Sequence, residues 1–99
     1  MIKFLEKEED FIELTKEKCL VDFYADWCGP CRMLGEVLDE LVLENKEFTV
    51  IKVNTDKFSK IALDMGVMSI PALFLMENSK VIKKSVGYKS LDELKDFIK

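Results

Sequence analysis

The chain has 99 residues, 48 % of them hydrophobic and 34 % charged, with a net charge of −4. That length allows one domain with a core of its own, and the apolar fraction excludes a disordered chain. The acidic balance excludes nucleic acid as a partner, because a phosphate backbone is held by a concentrated basic surface.

Taken in chain order, residues 2–5 read as a short strand. An acidic helix over 7–16 follows, with Phe11, Ile12 and Leu14 turned inward. Residues 19–25 are apolar except for Asp22, the pattern of a strand covered on both faces. From 29 to 44 the apolar residues Met33, Leu34, Val37, Leu38, Leu41 and Val42 recur at helical spacing and form one buried stripe. Residues 48–53 read as a second core strand. Phe58, Ile61, Ala62 and Met65 mark a short helix, with Thr55 or Asp56 as its cap and Gly66 as its stop. Strands at 72–76 and 80–86 flank Glu77, Asn78 and Ser79 as a hairpin. The lysines of the second of these strands read as a solvated face.

The last helix opens with "SLDE", in which Ser90 and Glu93 can form a capping box, and it buries Leu91, Leu94, Phe97 and Ile98. The order β-α-β-α-β-α-β-β-α predicts an α/β fold. Its mixed central sheet of about five strands has parallel pairs where helices intervene, an antiparallel hairpin at the end, and helices on both faces.

No run approaches the length of a membrane span, and the first ten residues lack the apolar centre of a leader. The expected location is therefore the cytoplasm. There a Cys-x-x-Cys such as Cys28–Cys31 is more often catalytic or metal-binding than a structural staple. A tetrahedral zinc site needs four ligands. The chain has three cysteines and no histidine, and Cys19 lies beyond a strand-length segment. A reversible redox couple fits better. Cys28 falls where a strand ends and a helix begins, among unpaired N–H groups that favour a thiolate. Pro30 is tolerated in a first helical turn, and Gly29 leaves the sulfur open to a partner protein.

"WCGPCR" directly after "VDFYAD", with "SIPA" some forty residues on, resembles the thioredoxin family, and the order of elements agrees over essentially the whole chain. The resemblance implies the thioredoxin fold, a single domain over 1–99, and a protein-disulfide reductase. In that reading Cys28 is the exposed nucleophile and Cys31 the buried resolving thiol, with a Cys28–Cys31 disulfide as product. Gly29 and Pro30 help set the redox poise. Asp22 is a buried acid assisting proton transfer for Cys31, and Lys52 packs near it. Pro71 is a cis-proline facing the dithiol, and Trp27, Ile70 and Gly87 line the substrate groove. No cofactor or metal is bound. Electrons come through a thioredoxin reductase using NADPH or another donor, and the partners are that reductase and disulfide-containing proteins. The chain is expected to be a monomer, without nucleic acid or membrane.

Thioredoxins exemplify a thiol pKa lowered from about 8.5 to about 7, which raises the thiolate fraction at pH 7 roughly fifteen-fold. The lost nucleophilicity returns roughly five-fold of that. The net gain is only about three-fold, so positioning of the second thiol must supply most of the rate.

Residue by residue, plainer readings stand beside these. Asp22 could be the polar member of a half-exposed strand, and Lys52 a solvated strand residue. Trp27 could belong to the core. Pro71 on residue type alone would be trans. Cys19 reads as a small buried hydrophobe. Two departures from the family pattern stand out: Gly35 and Glu36 occupy the stretch where relatives commonly carry a helix proline, and Ala72 follows Pro71 where a threonine is common. Gly35 is expected to loosen the helix. The rival readings are a glutaredoxin-like or oxidising relative, and a non-catalytic binding subunit.

Overall fold

Strand β2 (Cys19–Tyr24) is buried at five of its six positions, and a computed structural model covering residues 1–99 explains why. It lies at the centre of a five-stranded sheet of order β1-β3-β2-β4-β5, where β1 is Ile2–Phe4, β3 is Thr49–Asn54, β4 is Ala72–Glu77 and β5 is Lys80–Val86. Parallel pairing joins β1 to β3 and β3 to β2, while β4 runs antiparallel to both β2 and β5. Thus the expected mixed sheet of five strands is present.

Alternation along β2 sends its side chains to two separate cores. Val21 and Phe23 join Ile51, Val53, Phe74, Phe11 and Phe58 on one face. Leu20 joins Val50, Leu73, Leu34, Leu38, Leu41 and Leu94 on the other. That second face is covered by helices α2 (Gly29–Glu44) and α4 (Leu91–Phe97), and the first by α1 (Phe11–Leu14) and α3 (Ser59–Asp64). Because side chains on a strand alternate, Asp22 and its register partner Lys52 project toward the α2 face with Leu20 and Val50.

Several boundaries differ from the sequence reading. In place of a helix over 7–16 there is a 3-10 turn at Glu8–Asp10 and then the single turn α1. No side chain caps the acidic start. At the other end the Thr15 hydroxyl donates to the Phe11 carbonyl at 2.9 Å. With so short a helix, Phe11 and Leu14 turn inward while Ile12 is 66 % exposed rather than buried. Along α2 the buried positions are Cys31, Leu34, Leu38 and Leu41, so Met33 falls outside the stripe and is exposed. This helix also runs unbroken through Gly35, from Gly29 to Glu44.

Neither Thr55 nor Asp56 caps α3; Phe58 occupies the cap position without a side-chain bond. Instead the Asn54 side chain accepts the N–H groups of Asp56 and Lys57 in a tight turn before it. Gly66 stops α3 as expected, at φ 73°. The N–H groups of Gly66 and Val67 reach back to Leu63 and Ala62, closing a Schellman motif. The capping box on α4 is also present, with Ser90 and Glu93 bonded reciprocally.

Asn78 and Ser79 both have positive φ in the two-residue turn between β4 and β5, the conformation that continues the strand twist in a tight hairpin. This turn is latched to the end of α1: Asn78 and Ser79 donate backbone N–H groups to Lys16 and Thr15, and the Ser79 hydroxyl donates to Ile12. Thr15 is fully buried at this junction. Thr15→Val keeps the shape and removes the hydroxyl. It is expected to lower unfolding free energy by about 1 kcal/mol, read as a lower urea midpoint at constant slope. The outer strand β5 is exposed at six of seven positions and carries Lys80, Lys83 and Lys84.

Candidate active site

The dithiol is built by the passage from β2 into α2. After Tyr24 the chain turns through Ala25, Asp26 and Trp27, and the Cys28 N–H returns to the Ala25 carbonyl at 3.3 Å. Cys28 then occupies the cap position of α2 in an extended conformation, and its Sγ accepts the Cys31 N–H at 3.2 Å. A sulfur here does what a serine or aspartate oxygen does at other helix starts: it takes an otherwise orphaned amide of the first turn. Pro30 stands in that first turn, where its missing N–H leaves no bond unmade. Gly29 has no atom within 4 Å of where a Cβ would stand, so this side of the dithiol is open.

Cys28 and Cys31 are joined as a disulfide, with Cα atoms 5.2 Å apart. Cys28 is 6 % exposed and Cys31 2 %. The order of accessibility matches the sequence reading, but Cys28 is not openly exposed: in the disulfide its sulfur is folded against the helix start. Ala25 packs with both cysteines, and Ile70 and Tyr24 close over them. The Ile70–Pro71 peptide is cis. The Gly87 N–H donates to the Pro71 carbonyl at 2.8 Å, and Gly87 itself has φ 98°. Thus Ile70 reaches the dithiol directly, and Gly87 is tied to the Pro71 turn beside it. Trp27 is 70 % exposed, which overturns the core reading, and its indole N–H donates to Asp56 at 2.9 Å.

Asp22 is fully buried, and neither carboxylate oxygen has a hydrogen-bond partner in the protein. Burial pushes its pKa up to about 6, while the Lys52 charge opposes the rise. The Lys52 ammonium stands 3.8 Å from Asp22 Oδ2, a charge contact too long for a good hydrogen bond. It also lies over the Tyr24 ring at 4.7 Å and the Phe4 ring at 5.6 Å. A crevice of about 240 Å³ lined by Phe4, Tyr24, Asp26, Cys31, Arg32 and Lys52 connects this ammonium to the second cysteine. Lys52 is therefore not the freely solvated strand residue that its type alone suggests.

Sequence reasoning missed Asp56, which holds Trp27, and the aromatic pair Phe4 and Tyr24 around Lys52. The β1–β3 neighbourhood that carries Phe4 to this spot is invisible until the sheet order is known. Cys19, the remaining cysteine, is buried, and burial pushes its pKa up to about 11. No helix is long and apolar enough to cross a membrane.

A thioredoxin family model matches residues 2–99. The chain is 36 % identical over 92 residues to a thioredoxin of Mycoplasmoides gallisepticum, spanning 93 % of this chain and 92 % of that one. It is 37 % identical over 87 residues to a thioredoxin of Bacillus subtilis, spanning 87 % and 84 %. Among solved structures, Malassezia sympodialis thioredoxin superposes with a TM-score of 0.89 at 26 % identity, over 99 % of this chain and 88 % of that one. A mutant thioredoxin from Halobacterium salinarum gives 0.89 at 33 %, over 98 % and 87 %. With sequence and backbone agreeing from end to end, the chain belongs to the thioredoxin family and is a thiol–disulfide oxidoreductase that reduces protein disulfides.

Proposed function

We propose that residues 1–99 act as one domain in which the Cys28 thiolate attacks a substrate disulfide. One substrate sulfur joins Cys28 in a mixed disulfide and the other leaves as thiolate. Cys31 then attacks the Cys28 sulfur, forming the Cys28–Cys31 disulfide and expelling the second substrate sulfur. Two electrons pass to the substrate. The observation that carries this assignment is the Cys28 sulfur at the α2 cap, accepting the Cys31 amide. Amide donors there stabilise negative charge on that sulfur and on no other.

Asp22 receives the proton that Cys31 gives up, and Lys52 steadies the carboxylate that the reaction needs. A group that exchanges protons near neutrality suits this task, and the carboxyl's raised pKa agrees with it. Gly29 and Pro30 set the geometry of the disulfide loop and so its redox poise. Trp27, Ile70, Pro71 and Gly87 form the groove in which an extended substrate segment lies strand-like beside the cis-proline. Thioredoxin reductase re-reduces the disulfide with electrons from NADPH, and the protein works as a cytoplasmic monomer.

Alkylation of the reduced protein with iodoacetamide, followed by mass spectrometry, tests the assignment. At neutral pH Cys28 is expected to be modified first, with Cys31 and Cys19 spared. Modification of Cys31 first, or of both at one rate, overturns it.

A further inference from the structure

Position 35 of α2 is occupied by the one helix-interior residue type that has no side chain, and the space this leaves is not empty. A Cβ built on Gly35 would meet a single atom within 4 Å, the Lys52 Nζ at 3.3 Å. That same Nζ forms an ion pair with Asp22 at 3.8 Å. Gly35 and Lys52 line one crevice of about 540 Å³ with Ile2, Phe4, Arg32, Glu36 and Asp39, and it adjoins the smaller crevice that reaches Cys31.

We propose that Gly35 is a positioning residue for the dithiol chemistry, keeping clear the space in which the Lys52 ammonium stands beside Asp22. This rests on the reading of Asp22 as the proton acceptor for Cys31. The charged and titratable groups around the ammonium come from three places. β2 supplies Asp22 and Tyr24, the turn after it Asp26, and α2 Arg32, Glu36 and Asp39, with the disulfide-bonded Cys31 beside them. Only Asp22 is within ion-pair distance.

A methyl group at position 35 must displace the ammonium, and it has one direction in which to yield. Inward lies the fully buried Asp22 with the core beneath it. Outward lies the crevice, where Glu36 and Asp39 offer competing carboxylates. The ammonium therefore moves away from Asp22, the carboxylate loses part of its opposing charge, and Asp22 keeps its proton to higher pH. The contact at 3.3 Å is relieved by a few tenths of an ångström, and adding that to the ion-pair distance at an effective dielectric constant near 20 raises the titration midpoint by about a quarter of a pH unit.

The experiment follows the Asp22 side-chain carboxyl by carbon NMR against pH in the oxidised protein, for the wild type, Gly35→Ala, Lys52→Met and the double variant. Alanine is a better helix former than glycine, so Gly35→Ala folds, and a purely structural role for position 35 would raise its stability and leave the titration alone. The expected result is a midpoint raised by about a quarter of a unit in Gly35→Ala, by more than one unit in Lys52→Met, and by no more in the double variant than in Lys52→Met. An unchanged midpoint in Gly35→Ala, or an equal added shift with and without Lys52, overturns the inference. Disulfide-reduction rates against pH keep the underlying reading separate. A carboxyl midpoint that moves while the acid limb of the rate stays fixed upholds the place of Gly35 and removes Asp22 from the proton path.

Discussion

Cys31→Ser is expected to convert the protein from a turnover catalyst into a trap. The Cys28 sulfur still attacks and still forms a mixed disulfide, but the hydroxyl at position 31 cannot displace the bound substrate. An oriented intramolecular thiol acts at an effective molarity of about 10⁵ M or more, far above any external thiol in solution. Turnover of a disulfide protein should therefore fall by more than about a thousand-fold, and a stable adduct one substrate heavier should appear by mass spectrometry. Cys28→Ser removes the attacking group instead. It should abolish both turnover and adduct, since Cys31 is only 2 % exposed and cannot reach a protein substrate. A module that merely binds partners would behave alike in both variants.

Asp22→Asn is expected to alter stability and rate in opposite senses. The carboxyl titrates at about 6 in the fold against an ordinary value of 3.8, because burial penalises its ionised form. A pKa raised on folding means the folded state holds the proton more tightly than the unfolded chain does. Its contribution to stability is therefore complete below pH ~4, falls as pH rises through the window to about 6, and stays low above it. A shift of about two units corresponds to about 3 kcal/mol. Relative to the wild type, Asp22→Asn should gain that amount between pH 3.5 and pH 8, whatever constant offset the amide introduces, as read from urea midpoints. Parallel stability curves would mean that the carboxyl is not held near neutrality. Meanwhile disulfide reduction at pH 7 should slow by about a hundred-fold, the low end of general-base assistance, since a thiol still ionises unaided to a small extent.

Much of this was legible in sequence order alone, and what was not has a common cause. The strands around residues 20, 51 and 74 read correctly because apolar runs of that length flanked by turn residues leave few alternatives. The dithiol and its helix are local patterns, whereas the cis form of the Ile70–Pro71 bond follows only from the family resemblance, since residue type alone favours trans. α1 is shorter than its acidic run suggests, because its end is decided by the Thr15 hydroxyl and by a hairpin turn whose Ser79 lies 67 residues from Ile12. Lys52 has the least local environment of all. Its surroundings come from β1, β2 and α2 at once, and no spacing within β3 reports which strands lie beside it. The same applies to Asp56 holding Trp27 across 29 residues, and to Gly35, whose glycine looked like a weakness in a helix and is instead clearance for a charge.

The outer strand β5 carries a consequence for the molecule in company. An open sheet border offers its unpaired backbone groups to other copies of the chain. Lysines at three of seven border positions set like charge against like whenever two such borders approach. The lysines thereby oppose strand-to-strand pairing of copies at this border.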